Sequence, residues 1–223
     1  MHSRNGVSES PVHHRSWIEA VMRAGRRLAR RPRLSWFVVR SKSLNVPLSF
    51  PPARISLEIE CLPQDTEVIE GELRHLPSIH TSDIAERVRK GHYCFVGRHS
   101  GEIIYVIWMA VGSCYSYAID RSFTLSPTEI YGYSAYTFPS FRGNGVHTAG
   151  LGRSMQLLHD KGFALKHCFI DPKNGAAMRV TEKLGCQSMG VTGFIEIAGF
   201  RWYFHRDRGA FQALERRNYW RKM

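Results

Sequence analysis

A chain of 223 residues that is 43% hydrophobic can bury one sizeable core, which excludes fibrous and wholly disordered classes. Five cysteines, with no Cys-x-x-Cys pair and no Cys/His cluster, argue against a disulfide framework or a metal site and favour a reducing, cytoplasmic compartment. The net charge of +12 is uneven: residues 1–54 hold 11 Lys or Arg against 2 Asp or Glu, and residues 55–223 hold 20 against 17, so the basicity belongs to the leader.

Residues 1–14 read as disordered. Ser16 is placed to cap an amphipathic helix over 16–31, in which Trp17, Val21 and Leu28 share a stripe beside several arginines, and Pro32 ends it. The arginines interrupt this segment too often for a secretory signal, although an Arg-rich, acid-poor stretch also fits a transit peptide. The same charges suit an anionic membrane surface, nucleic acid or an acidic carrier protein; a solvated extension is the plain alternative. Residues 43–52 contain prolines and read as a linker, which divides the chain into a basic extension (1–50), a domain (51–207) and a basic C-terminal helix (208–223).

Within the domain, the alternation over 55–60 predicts a first strand, and 67–76 and 82–90 read as two short helices. Residues 92–98 and 102–111 form a predicted hairpin through His99-Ser100-Gly101, and 112–127 is a long connection. An aromatic strand over 130–138 then leads through Pro139-Ser140-Phe141-Arg142-Gly143-Asn144-Gly145 into a helix whose apolar positions include Ala149, Leu151, Met155 and Leu158. A strand over 166–170, a helix over 175–184 and closing strands over 187–197 and 200–204 complete the reading. Small residues beside an Arg at the start of a helix can wrap a pyrophosphate, because the first-turn N–H groups have no intrahelical acceptor.

Pro139-x-Phe141-Arg142-Gly143-x-Gly145-Val146 resembles the acyl-CoA-binding signature of the Gcn5-related N-acetyltransferase (GNAT) superfamily. A second match follows at its expected distance: Asn174-Gly175-Ala176-Ala177-Met178-Arg179-Val180-Thr181-Glu182-Lys183-Leu184-Gly185-Cys186 is similar to the superfamily's Asn-led helix. The resemblance implies an α/β fold with a mixed, mostly antiparallel central sheet flanked by helices. It implies an N-acetyltransferase with acetyl-CoA as co-substrate and no metal, acting on an unidentified primary amine. Three positions depart from the pattern: His147 stands where Gly or Ala is usual, Thr181 where many members carry the Tyr that protonates the thiolate, and Cys186 where Phe is customary.

The resemblance assigns the cofactor to backbone and side chains of Tyr136, Thr137, Phe138, Arg142, Gly143, Asn144, Gly145, Val146, His147 and Thr148, and to Asn174, whose plainer role is to cap its helix. It also implies that the strand over 130–138 splays from its neighbour to admit the pantetheine arm. With regular alternation, Glu129, Tyr131, Tyr133, Ala135 and Thr137 share one face of that strand. Glu129 is then the nearest carboxylate for a general base, and Tyr131 and Tyr133 are candidates for a relay through water or for aromatic packing. Two other functions stay open: a longer-chain acyltransferase fed by acyl carrier protein, and a non-catalytic CoA-binding module with an anionic-surface-binding leader.

Overall fold

The structure is a computed structural model that describes residues 32–77, 82–207 and 219–222. The predicted helix over 16–31 lies outside them. The sheet is built around β4 (Glu102–Ala110), in which every residue after Glu102 is buried. Such an unbroken apolar run needs cover on both faces. On one face Tyr105, Ile107 and Met109 pack against Val146, Leu151, Met155 and Leu158 of α3 (Val146–Asp160). On the other, Val106 and Trp108 meet Ile69 and Leu73 of α1 (Thr66–Leu73) and Ile84 of α2 (Ile84–Arg89). Asp65 caps α1, its side chain accepting the Val68 N–H at 3.1 Å.

Around β4 run β1 (Arg33–Ser43), β2 (Glu58–Cys61), β3 (Tyr93–His99), β7 (Glu129–Thr137), β8 (Leu165–Ile170), β9 (Gln187–Ile197), β10 (Phe200–Asp207) and β11 (Tyr219–Lys222). With α4 (Gly175–Lys183) between β8 and β9 in sequence, the sheet order is β11-β10-β9-β1-β8-β7-β4-β3-β2. Neighbours are antiparallel except β7 with β8. This is the mixed, mostly antiparallel sheet with flanking helices that the motifs imply. The connection over 112–127 holds a small hairpin, β5 (Ser113–Ser116) and β6 (Arg121–Thr124), whose Cys114 and Phe123 close a third cluster on Val39, Ala110 and Tyr131.

Two expectations need correction. The strand β1 falls in the expected extension, yet it occupies a central place, paired with β8 on one side and β9 on the other, and Val39 is fully buried. Its charges disguise it: Arg40 reaches across to Glu182 at 2.9 Å and to the Cys186 carbonyl at 3.4 Å. The domain therefore begins by Arg33, and the supposed linker is packed too, with Leu44 buried and Phe50 set against the backbone of Gly152 in α3. At the other end, Tyr219–Lys222 pairs with Phe200–Tyr203 as a strand, so the expected helix over 208–223 does not extend to those residues.

Candidate active site

The site begins where β7 and β8 part. Their parallel ladder pairs Glu129 with Leu165, Ile130 with Lys166 and Tyr131 with His167, and goes no further, although β7 runs on to Thr137 and β8 to Ile170. On its other side β7 carries a bulge: Val106 and Trp108 of β4 oppose Tyr136 and Tyr133, so three steps of β7 match two of β4. Ser134 within the bulge has φ of 51°. The extra residue moves the later side chains to the opposite face, so Tyr133, Tyr136 and Phe138 all pack toward α1 and α2. The regular alternation expected from 129 to 137 thus fails at Ser134.

At the mouth of the opening sits the loop that leads into α3. Gly143 and Gly145 have φ of 84° and 78°, a region that costs L side chains, and the strain falls where the chain must turn its amides outward. No side chain caps α3, and the first amide with a helical acceptor is that of Ala149, bonded to the Gly145 carbonyl at 3.0 Å. The amides of residues 146–148 are thus available to an anion. Arg142 is pinned beside them, donating through Nε to the Thr137 carbonyl at 3.0 Å with its guanidinium 5.7 Å from the Tyr136 ring centre. The packed segment before β2 braces the loop, because the Arg54 N–H donates to the Asn144 carbonyl at 2.8 Å.

Splay and loop open on one cleft of about 930 Å³. Among the described residues, its lining side chains include the cations Arg54, Arg142, Lys166, Arg179 and Lys183 and one carboxylate, that of Asp171. A cleft of this sign favours a polyanion. Of the predicted cofactor residues, Tyr136, Thr137, Arg142, Gly143, Gly145, Val146, His147, Thr148 and Asn174 line it. Phe138 does not: its side chain packs in the core, stacked 5.7 Å from His75. Asn144 turns away as well and donates to the Phe141 carbonyl at 3.3 Å. Asn174 does cap α4, its Oδ1 accepting the Ala177 N–H at 3.0 Å, and it reaches the cleft from that position.

Lys166 and Arg54 were not legible as site residues. Lys166 is 1% exposed, its stem lying against Gly132 so closely that a Cβ there would sit 3.0 Å from its Cε. Burial is the largest influence on the ammonium and works against its charge; the sulfurs of Cys168 and Cys186 outweigh it and hold the pKa up. Burial in turn pushes the Cys186 thiol up, and the Lys166 ammonium acts against that rise. His147, at the start of α3, lies 3.2 Å through Nδ1 from the Tyr105 hydroxyl. Burial, and secondarily Lys166, lowers its pKa to about 4, so it is neutral at pH 7.

The three predicted catalytic residues separate. Glu129 lies at the closed start of β7, outside the cleft: its carboxylate accepts the Ser126 N–H at 2.9 Å and faces His167 Nε2 at 3.5 Å. Ser41, His167 and Glu129 form a serine–histidine–glutamate line, with Ser41 Oγ 2.7 Å from His167 Nδ1, yet Ser41 and His167 are buried and none of the three lines the cleft. Tyr131 is core, stacked on Tyr133 and paired with Ser116 at 3.2 Å. Tyr133 alone of the three lines the cleft, its hydroxyl 2.8 Å from His92 Nδ1. Burial lowers the His92 pKa to about 4 and raises that of Tyr133, so both are neutral at pH 7. Thr181 donates to the Ala177 and Met178 carbonyls at 3.2 and 2.9 Å, which commits its hydroxyl to its own helix.

No protein-family profile and no curated protein matches the sequence. Solved structures do match. A GCN5-related N-acetyltransferase from Kribbella flavida is similar over 70% of this chain and 56% of its own length, at 12% identity and a TM-score of 0.50. A Drosophila protein is similar over 82% of this chain and 57% of its own, at 13% identity and a TM-score of 0.52. The GCN5-related glucosamine N-acetyltransferase region of a fungal multi-domain GH3 β-N-acetylglucosaminidase covers 83% of this chain, at 10% identity and a TM-score of 0.53. The chain spans little more than half the length of the first two and 23% of the third. At such identities the likeness is one of fold.

Proposed function

We propose that this chain, whose fold is that of the GCN5-related N-acetyltransferases, is an acyl-CoA-dependent N-acyltransferase that moves acetyl from acetyl-CoA to a primary amine. One observation carries the reading: the opening between β7 and β8 leads directly to an uncapped helix start flanked by Arg142, in a cleft lined by five cations and one carboxylate. A nucleotide-bearing thioester asks for that combination, since its pyrophosphate needs amides and charge while its arm needs a strand edge. Arg54, Arg179 and Lys183 extend the positive lining for a further phosphate.

In this reading the pyrophosphate rests on the amides of residues 146–148, and the arm lies along the end of β7. The bulge at Ser134 and Ala135 turns backbone toward the thioester, where an N–H can meet the carbonyl oxygen as it gains charge. The neutral amine attacks the carbonyl carbon, the carbon–sulfur bond breaks with its electron pair on sulfur, and the amine gives up a proton through water. Tyr133, held by His92, orients the amine or that water. The test is release of free CoA thiol from acetyl-CoA across amine, amino-sugar, polyamine and peptide acceptors. Release that depends on an added amine supports the reading; acetyl-CoA that binds and is never consumed with any acceptor would favour a CoA-binding module instead.

A further inference from the structure

We propose that Lys166 supplies the positive charge that meets the departing CoA thiolate, a catalytic role that rests on the acyltransferase reading above. Lys166 belongs to the second of the three residue pairs that join β7 to β8, next to the last, and so stands at the closed end of the splay. Its side chain passes under Gly132 and lines the cleft. An arm that enters from the phosphate loop and follows β7 inward ends at this wall.

An almost fully buried ammonium is costly unless an anion answers it. Among the described residues, none of the groups acting on Lys166 is a carboxylate. The groups facing it are His147 from α3, which is neutral at pH 7, Cys168 on its own strand, Cys186 at the end of α4, and Lys42, its register partner on β1. Of the nearby acids, Glu182 is paired with Arg40 at 2.9 Å. Among the described residues, the groups that favour this cation at the cleft wall are cysteine sulfurs and no carboxylate, and a thiolate is the anion that the reaction brings there. The hydroxyl of Thr181, which also lines the cleft, is already bonded to backbone.

The step balances as follows. The amine nitrogen forms its bond to the acyl carbon and gives up a proton to water, the carbon–sulfur bond breaks onto sulfur, and the thiolate forms an ion pair with the Lys166 ammonium. The thiolate then takes a proton from solvent as CoA leaves, and Lys166 keeps its charge throughout. Gly132 is part of the arrangement, because any side chain there would press on the lysine stem.

The experiment follows the ultraviolet absorbance of the CoA thiolate against pH, free and bound to the full chain, for wild type, Lys166→Met and Gly132→Ala. An opposite charge within ~4–6 Å lowers an acid's pKa by about 1–3, so CoA bound to wild type ionises that far below the free CoA thiol. Lys166→Met is expected to bind acetyl-CoA within a few-fold of wild type, to return the thiol to its free value, and to lower kcat by about 10²–10³-fold. Gly132→Ala, which displaces the lysine and keeps its charge, gives an intermediate value. Unchanged thiol acidity in a folded, CoA-binding Lys166→Met overturns this role and leaves the acyltransferase reading standing. Wild type that does not bind CoA overturns both. If Lys166→Met does not fold, Gly132→Ala decides: thiol acidity equal to wild type overturns the proposal, and a partial return supports it.

Discussion

A methyl group added at Gly150 should weaken both the fold and the phosphate site. A Cβ at that position would lie 2.5, 2.8 and 3.1 Å from Cε1, Cδ1 and Cζ of Tyr105. Carbon atoms pack at about 3.5–4.0 Å, so helix or ring must move by about 1 Å. The ring cannot yield: Tyr105 is fully buried in β4 and its hydroxyl meets His147 at 3.2 Å. Overpacking of this kind costs about 1–3 kcal/mol, and the better helix propensity of Ala returns up to about 1 kcal/mol. A net loss of up to about 2 kcal/mol should appear as a lower urea midpoint at unchanged slope. Because the first turn of the same helix offers amides to the anion, calorimetry should show acetyl-CoA affinity down by about tenfold, or roughly 1.4 kcal/mol. The double variant Gly150→Ala/Tyr105→Leu, which removes the obstructing ring, should recover part of the affinity. Gly150→Ala with wild-type stability and wild-type affinity would refute the coupling of α3 to β4 on which the site's geometry depends.

Other consequences are as direct. His92 and His147 are held to about 4 against an ordinary 6.5, so the unfolded chain binds more protons between those values. Stability is fully present above about pH 6.5 and falls as pH drops toward 4, by at most about 3 kcal/mol for each histidine; denaturant unfolding across that range checks it. Tyr133→Phe should lower kcat at unchanged acetyl-CoA affinity, whereas Glu129→Gln, outside the cleft, should leave turnover within about twofold of wild type. Deleting residues 1–45 removes β1 from the middle of the sheet. The buried Val38 and Val39 of β1, with Leu44 just after it, are worth about 1.5–3 kcal/mol each before any ladder bonds are counted, a large part of a stability of roughly 5–15 kcal/mol. The shortened chain should show no cooperative unfolding transition.

Much of this was legible because the informative residues are local. The run 139–146 sets a single 3-10 turn, a glycine loop and a helix start in sequence, and the glycines fall where φ is positive. The run after Glu102 was legible as a strand, and every residue after Glu102 in it is buried. What was missed depends on partners far away in the chain. Arg40 and Lys42 made β1 look like part of a solvated leader, and only Glu182 and the Cys186 carbonyl, more than 140 positions on, explain the buried arginine. Glu129 seemed placed for a base because it shares a face with Tyr133, yet it stands at the start of β7 where the ladder to β8 is still closed. Lys166 carries no motif, and its meaning comes from Gly132 on a neighbouring strand.

The central claim is that the cleft between β7 and β8 holds an acyl-CoA through the start of α3. Calorimetric titration of the full chain with acetyl-CoA, wild type beside Gly145→Val, tests it most directly. Gly145 has φ of 78°, where a β-branched residue is strained, and a Cβ there would already touch Pro52 and Ala53 at 3.6 Å, so the loop must refold and lose its amides. The account predicts one site in wild type and an affinity at least about tenfold weaker in the variant, with less heat as salt is raised. Equal affinity in two folded proteins, or no binding by wild type, would contradict it.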